Sequence, residues 1–322
     1  MKPRVLPALT LLALLAPAAF AQAPATPAPA AAAPAPPRTI ASLRNKISAA
    51  DLPSAESILE VHREKYGADG TWLMALGWLA RGALLLGDTP RAGELNAELR
   101  RACDARLAAG ATLAHDDSLE NALGACVEVQ AQLVEKAKGR AAAAAFVRGE
   151  QARFAGAPDG FRMRLQKRLN LLTLTGAPAP EIALEDWVGA KPKPLAERRG
   201  KAVVVFVWSK SCGDCRDQAA TLARVASRHA ADGLEIVPLT RFYTEGEAEH
   251  VREKAVIDSV WSATYAGVGP ASIPLSTASM ERYGGSSTPT FVFVDRRGVV
   301  RGYTPTRLTE PELERRVREI LR

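Results

Sequence analysis

The stretch KAVVVFVW, Lys201 to Trp208, constrains the fold more than any other. After its first residue it carries no charged or hydrogen-bonding aliphatic side chain, and four of its members are valine. Such a run prefers extended backbone and reads as a buried strand. Two cysteines, Cys212 and Cys215, follow in SKSCGDCR, where the strand hands over to a helix. On local grounds the pair fits a redox centre, half of a metal site or a structural bridge.

From Gly176 onward, prolines and short strand-like pieces lead into KAVVVFVW. Next come a helix from Cys212 to about Ala231, strand LEIVPL, a helix around Glu245 to Ile257, strand TFVFVD, a tight Arg-Arg-Gly turn, strand VVRGY and helix TEPELERRVREILR. Strands alternating with helices, closing on a hairpin and a helix, predict a mixed sheet in an α/β layer fold over residues 176–322. Residues 38–175 are rich in Ala, Leu, Arg and Glu with few β-branched runs, and predict an all-α domain. Asp51-Leu52-Pro53-Ser54 is a cap followed by an early-turn proline; Gly87-Asp88-Thr89-Pro90 ends one helix and starts the next. Further helices are expected near 117–138, 139–155 and 160–174. The stretch from Leu52 to Leu99 loosely resembles tetratricopeptide-type repeats, without a clean period, and an irregular helical bundle fits as well.

The first 37 residues belong to neither domain. Lys2 and Arg4, an apolar core, and Ala19-Phe20-Ala21 give the layout of a secretory signal peptide over residues 1–21. The core is short and broken by Pro7 and Pro17, which argues against an anchor helix, and no cysteine follows it to take a lipid. Residues 22–37 are a Pro/Ala linker. The expected location is therefore periplasmic or otherwise extracytoplasmic, with no membrane span after signal removal, and disulfides persist there. The net charge of +7 is spread among acids, as in ELERRVREI, which reads as a solvated surface and not as a nucleic-acid footprint.

Spacing pairs the four cysteines as Cys103 with Cys126 and Cys212 with Cys215. Cys103 and Cys126 flank the loop ALAAGATLAHDD, nearly equidistant from its centre, so a disulfide could staple a helical hairpin there; two small buried thiols are the alternative. Cys212 stands at a helix start, where unpaired N–H groups and the helix dipole stabilise a thiolate. Cys215, one turn on, can reach back to it: the first sulfur attacks a substrate disulfide, and the second resolves the mixed disulfide. Pro289, in Ser287-Thr288-Pro289-Thr290, precedes the strand FVFVD, where a proline cannot sit inside the ladder; a cis bond there would leave the Thr288 backbone free for an extended substrate.

Trp-x-x-x-Cys-x-x-Cys after a hydrophobic strand, followed by Thr-Pro-Thr-Phe-x-x-Asp-x-x-Gly, resembles the thioredoxin superfamily. The preceding APAPEIAL and GKAVVVFVW resemble its TlpA/ResA branch of extracytoplasmic thiol–disulfide oxidoreductases, over about residues 176–322. With Thr288 and Trp208 as the expected substrate contacts, the resemblance implies a thioredoxin fold, with Cys212 as nucleophile, Cys215 as resolving thiol and Pro289 as the cis proline. It implies no cofactor, and partners that are disulfide- or thiol-bearing proteins with an upstream electron donor or acceptor. Three positions depart from the pattern. Ser211 replaces the usual Trp, Asp214 the usual proline, and Gln218 a glutamate thought to assist proton transfer. Asp214 opposes a neighbouring thiolate while Lys210 and Arg216 favour one, so the redox direction stays open with a lean towards reductant.

Other readings compete. Zinc needs about four ligands, and His62, His115, His229 and His250 are scattered, the last two expected on helix surfaces, so no metal is expected. A thioredoxin-fold peroxidase would have Pro-x-x-x-Thr-x-x-Cys, where this chain has Val205 and Ser209. A non-catalytic helical-repeat interaction protein would keep the 212–215 pair as a permanent bridge.

Overall fold

The computed structural model describes residues 38–322; the expected signal peptide and linker lie outside the described residues. Seven helices come first: α1 (Thr39–Ser48), α2 (Leu52–Tyr66), α3 (Gly70–Leu85), α4 (Thr89–Ala108), α5 (Asp117–Lys138), α6 (Arg140–Arg153) and α7 (Asp159–Thr173). Four of them start at an aspartate. Asp51, Asp69, Asp88 and Asp116 each accept a backbone N–H three residues on, at 2.7 to 3.2 Å, satisfying a donor that the helix itself cannot. The apolar helix α3 is the hub, with Leu73, Leu76 and Ala80 fully buried among α1, α2, α4 and α5.

The expected staple between Cys103 and Cys126 is not formed: both are free, buried thiols. The hairpin register sets the Cys126 Sγ 3.8 Å from the Asn96 carbonyl, two turns before Cys103 on α4. Burial pushes both thiols up to about 12, so they behave as small core side chains.

The remaining chain builds a four-stranded sheet from β2 (Ala202–Val207), β3 (Leu234–Leu239), β5 (Thr290–Val294) and β6 (Val300–Thr304), in the order β3-β2-β5-β6. Strand β2 pairs parallel with β3 and antiparallel with β5, so the sheet is mixed as expected. Every residue of β2 is buried. Val204 and Phe206 join a core with α8 (Gly213–His229) and α11 (Glu310–Leu321). Val203, Val205 and Val207 face the other way, towards α10 (Thr277–Arg282), and that core also takes Met163 from α7 and Leu174 just after it. The helical region thus covers part of the sheet. Period-two alternation splits β2 between the two cores, and each fully buried large side chain contributes about 1.5–3 kcal/mol.

Of two further short strands, the first lies among the strand-like pieces expected before Lys201 and the second was not predicted. β1 (Asp186–Gly189) and β4 (Ser272–Leu275) pair antiparallel, and a lone bridge from Leu275 to Thr240 ties them to the end of β3. The long helix α9 (Glu247–Thr264) runs a turn or two beyond its expected end, up to Tyr265, which is buried.

Candidate active site

Cys212 is the N-cap of α8, and its Sγ accepts the Cys215 N–H at 3.0 Å. The two cysteines are joined as a disulfide with Cα atoms 5.2 Å apart. Cys212 is half-buried and Cys215 fully buried, so a partner can reach only the leading sulfur. The placement follows from the chain order: a buried strand delivers the loop Trp208–Ser211 to the sheet's carboxyl end, and the helix starts at once.

The Thr288–Pro289 bond is cis. It brings the Thr288 carbonyl oxygen to 3.3 Å from the Cys212 Sγ. In the disulfide this is a close contact; in the reduced state the Cys212 thiol can donate to that oxygen. Thr290 Oγ1 donates to the Ser287 carbonyl at 2.7 Å and fixes the turn.

Trp208, expected to contact substrate, does not reach the surface. It is fully buried, with its ring centroid 5.4 Å from that of Trp261 and 5.1 Å from that of Tyr265. Its position is the last inward-facing residue of the strand run, so it supports the cysteine loop from beneath.

The departures from the family pattern now have environments. Gln218 is buried and its Oε1 accepts the Leu308 N–H at 2.9 Å, anchoring the segment that leads into α11. A neutral amide there cannot exchange a proton with Cys215. Asp214 and Asp217 are exposed and lie against Arg307, at 3.6 and 2.9 Å. Lys210 is paired with Glu253, a buried carboxylate that also accepts from the Tyr243 and Thr244 backbones and from the Thr244 hydroxyl. Burial opposes that carboxylate's charge, yet the donors, Lys210 first, hold it below the usual range. Asp214 and Lys210 are therefore engaged elsewhere, and the helix N-terminus is left, with the exposed Arg216 beside it, to support a thiolate.

The histidines form no metal site, and no cluster of metal-binding side chains occurs among the described residues. His229, expected on a surface, is buried between Asp232 and Glu314. Sequence reasoning also missed Lys167, whose Nζ donates to Ser287 Oγ at 2.7 Å, beside the cis proline. A contact across 120 residues leaves no local signature, although the paired glycines before Ser286 hinted at a close approach.

Residues 175–258 match the AhpC/TSA family model. The thioredoxin-like protein YneN of Bacillus subtilis is 25% identical over 142 residues, covering 44% of this chain and 78% of that protein. Among solved structures, a thiol:disulfide interchange protein of the thioredoxin family from Chlorobium tepidum is 18% identical, with a TM-score of 0.36 over 46% of this chain and 97% of its own. A secreted Mycobacterium tuberculosis disulfide oxidoreductase is 21% identical, with a TM-score of 0.34 over 41% of this chain and 93% of its own. The C-terminal half of this chain thus carries a thioredoxin-like AhpC/TSA domain, preceded by an all-helical region.

Proposed function

We propose that this protein is an exported thiol–disulfide oxidoreductase that exchanges disulfides with partner proteins through Cys212 and Cys215. The observation that carries the reading is the Cys212 Sγ at a helix N-cap, accepting the Cys215 N–H at 3.0 Å. That hydrogen bond and the helix dipole favour a thiolate over a thiol. The Cys212 thiolate attacks the partner's disulfide, forming a mixed disulfide and releasing one partner thiolate. Cys215 then attacks the Cys212 sulfur, the Cys212–Cys215 bond closes, and the second partner sulfur leaves. Two electrons pass from the protein to the partner, and the leaving thiolate takes the proton that Cys215 gives up. With Gln218 neutral, that proton travels through the partner sulfur or solvent. An upstream donor then returns the pair to the dithiol.

The helical region serves partner binding in this reading, and the boundary near residue 176 separates it from the redox part. Export rests on the N-terminal signal pattern, and among the described residues no helix is long and apolar enough to cross a membrane. Dithiothreitol-driven insulin reduction tests the activity: the wild type should catalyse it, Cys212→Ser should not, and Cys215→Ser should accumulate mixed disulfides on Cys212. An inert wild type whose 212–215 bond resists reduction would instead mark a scaffold.

Peroxide reduction is the second reading, favoured by the AhpC/TSA match. Against it, Val205 is fully buried in β2 and the Ser209 hydroxyl pairs at 3.5 Å with Ser211 Oγ. Consumption of hydroperoxide faster than that of a protein disulfide would reverse the order.

A further inference from the structure

A cavity of about 500 Å³ lies between the helical region and the cis-proline loop. Its size falls in the range of ligand sites, roughly 300–1,000 Å³. Ser287 and Thr288 form one wall, and Arg81, Arg164, Lys167 and Arg241 line the rest. Two carboxylates, Glu120 and Glu128, also reach it. Glu128 is held by Arg81 at 2.8 Å, and Arg241 has Asp159 at 3.7 Å. Arg164 and Lys167 have only neutral partners among the described residues: Asn121 Oδ1 at 3.2 Å and Ser287 Oγ at 2.7 Å. The Arg81 Nε is buried and makes no hydrogen bond.

This arrangement costs free energy in the absence of an anion. Burial first, and neighbouring cations with it, push Lys167 and Arg164 towards their uncharged forms, and the nearby Glu128, with Glu120 at Arg164, offsets this only in part. The fold nonetheless makes room for the charge. Arg164 lies flat over Gly124 of α5, where any side chain would collide with the guanidinium. Gly284 lets the loop close onto the backbone of Lys167, 2.5 Å from where a Cβ would stand. Half-buried cations with no carboxylate in direct contact, packed onto the loop that contacts the nucleophilic sulfur, have the chemistry of an anion subsite.

We propose that this cavity receives acidic side chains flanking the reactive cysteine of a partner protein, so that the enzyme selects disulfides in acidic segments. The inference rests on the disulfide-exchange reading. A peptide chain fits better than a small anion, because Thr288 both lines the cavity and touches the Cys212 Sγ. A chain bonded to that sulfur and extended along the Thr288 backbone carries its next residues into the cations.

The test uses the full-length reduced protein and three peptides, each carrying one mixed disulfide. They differ only in the two residues beside the cysteine: glutamate, glutamine or lysine. Stopped-flow reduction of the glutamate peptide should be about tenfold faster than that of the glutamine peptide, the advantage of one charge-assisted hydrogen bond. The lysine peptide should be slowest. Added salt, Arg164→Gln and Lys167→Gln should each shrink the glutamate-to-glutamine ratio, a ratio that general damage to the enzyme does not move. Neutral 2-hydroxyethyl disulfide reports the exchange chemistry separately. If it is reduced while the three peptides react equally, the subsite is overturned and the oxidoreductase reading stands. If it is not reduced, the oxidoreductase reading fails, and binding of the disulfide-free peptides decides the cavity: equal affinities overturn it, tighter glutamate binding supports it. Acceleration of glutathione disulfide with none of the acidic peptide would overturn the peptide assignment in favour of a small anionic disulfide.

Discussion

Gly284→Ala tests whether the helical region braces the active-site loop. Gly284 has φ +65°, and a Cβ built there would stand 2.5 Å from the Lys167 Cα and 2.6 Å from its N. Two costs follow. An L-residue in left-handed backbone loses about 1–2 kcal/mol. Forcing a methyl against helix backbone, which cannot swing aside as a side chain can, adds about 1–3 kcal/mol. The expected destabilisation is therefore about 2–5 kcal/mol. Gly110→Ala is the matched control: Gly110 ends α4 with the same pair of backbone hydrogen bonds by which Gly284 ends α10, has φ +92° and has nothing within 4 Å of its Cβ, so it carries the first cost alone. Urea unfolding of both variants isolates the contact as the difference between them, about 1–3 kcal/mol at unchanged m. The same displacement moves Ser287 and Thr288, so Gly284→Ala should also slow reduction of peptide disulfides, while Gly110→Ala should not. Equal destabilisation of the two variants, within about 0.5 kcal/mol, would refute the contact between α7 and the cis-proline loop.

The two free thiols, Cys103 and Cys126, should resist alkylation in the folded oxidised protein and react fully on unfolding; intact-mass analysis showing two disulfides would contradict the structure. Gln218→Glu places a carboxyl one turn after Cys215 in a buried position, where burial raises its pKa; resolution of the mixed disulfide should accelerate near neutral pH, at about 1–3 kcal/mol of stability. No change in the single-turnover pH profile would show that proton transfer does not limit the step. A cluster of charged groups around His229 closes the far end of α8. Burial opposes the Glu314 charge, but hydrogen bonds from His229, Arg228 and Arg318 carry its pKa from 4.5 down to about 2. His229 is raised above 6.5, because Asp232 and Glu314 outweigh its burial. The Glu314 contribution, about 3 kcal/mol from that shift, is full above pH 4.5 and lost as pH falls through about 2. The His229 contribution is full below pH 6.5 and lost as pH rises through its folded value. Stability should thus plateau between about pH 4.5 and 6.5, and His229→Asn should flatten the fall on the alkaline side of urea midpoints.

What could be read in advance was what local chemistry dictates. The valine-rich run of β2 has no polar alternate residue and can only be interior. Asp51 and Asp88 announce helix starts because their side chains satisfy nearby N–H groups. Pro289 cannot donate to a ladder, so it had to precede β5. The failures share a different cause, in that a distant segment settled each one. β4 is a four-residue strand held by its pairing with β1 and by one bridge to Thr240. Trp208 was expected at the substrate, but Trp261 and Tyr265 close over it. His229 was placed on a surface because Glu314, which covers it, lies 85 residues on. The spacing of Cys103 and Cys126 ignored the register of α4 against α5, which puts Asn96 opposite Cys126.

The helical region is more than an appendage that brings partners near. Met163 and Leu174 complete the core beneath Val203, Val205 and Val207, so one face of the redox sheet is sealed partly by α7 and the segment that leaves it. Polar contacts run along the same seam. Arg162 forms two hydrogen bonds to Glu281, Asn170 donates to the Arg282 carbonyl, and Lys167 reaches Ser287. These contacts fall on α10 and on the loop between it and Pro289, the backbone that approaches the Cys212 sulfur. Several such bonds, at about 0.5–3 kcal/mol each, are comparable with the whole stability of a domain, about 5–15 kcal/mol. Residues of α7 thus bear directly on α10 and on Ser287, the neighbour of Thr288. A partner that fills the cationic cavity presses on both walls at once. Binding and positioning of the reactive disulfide are then one event, because the residues that would recognise the partner also hold the loop against which its sulfur must align.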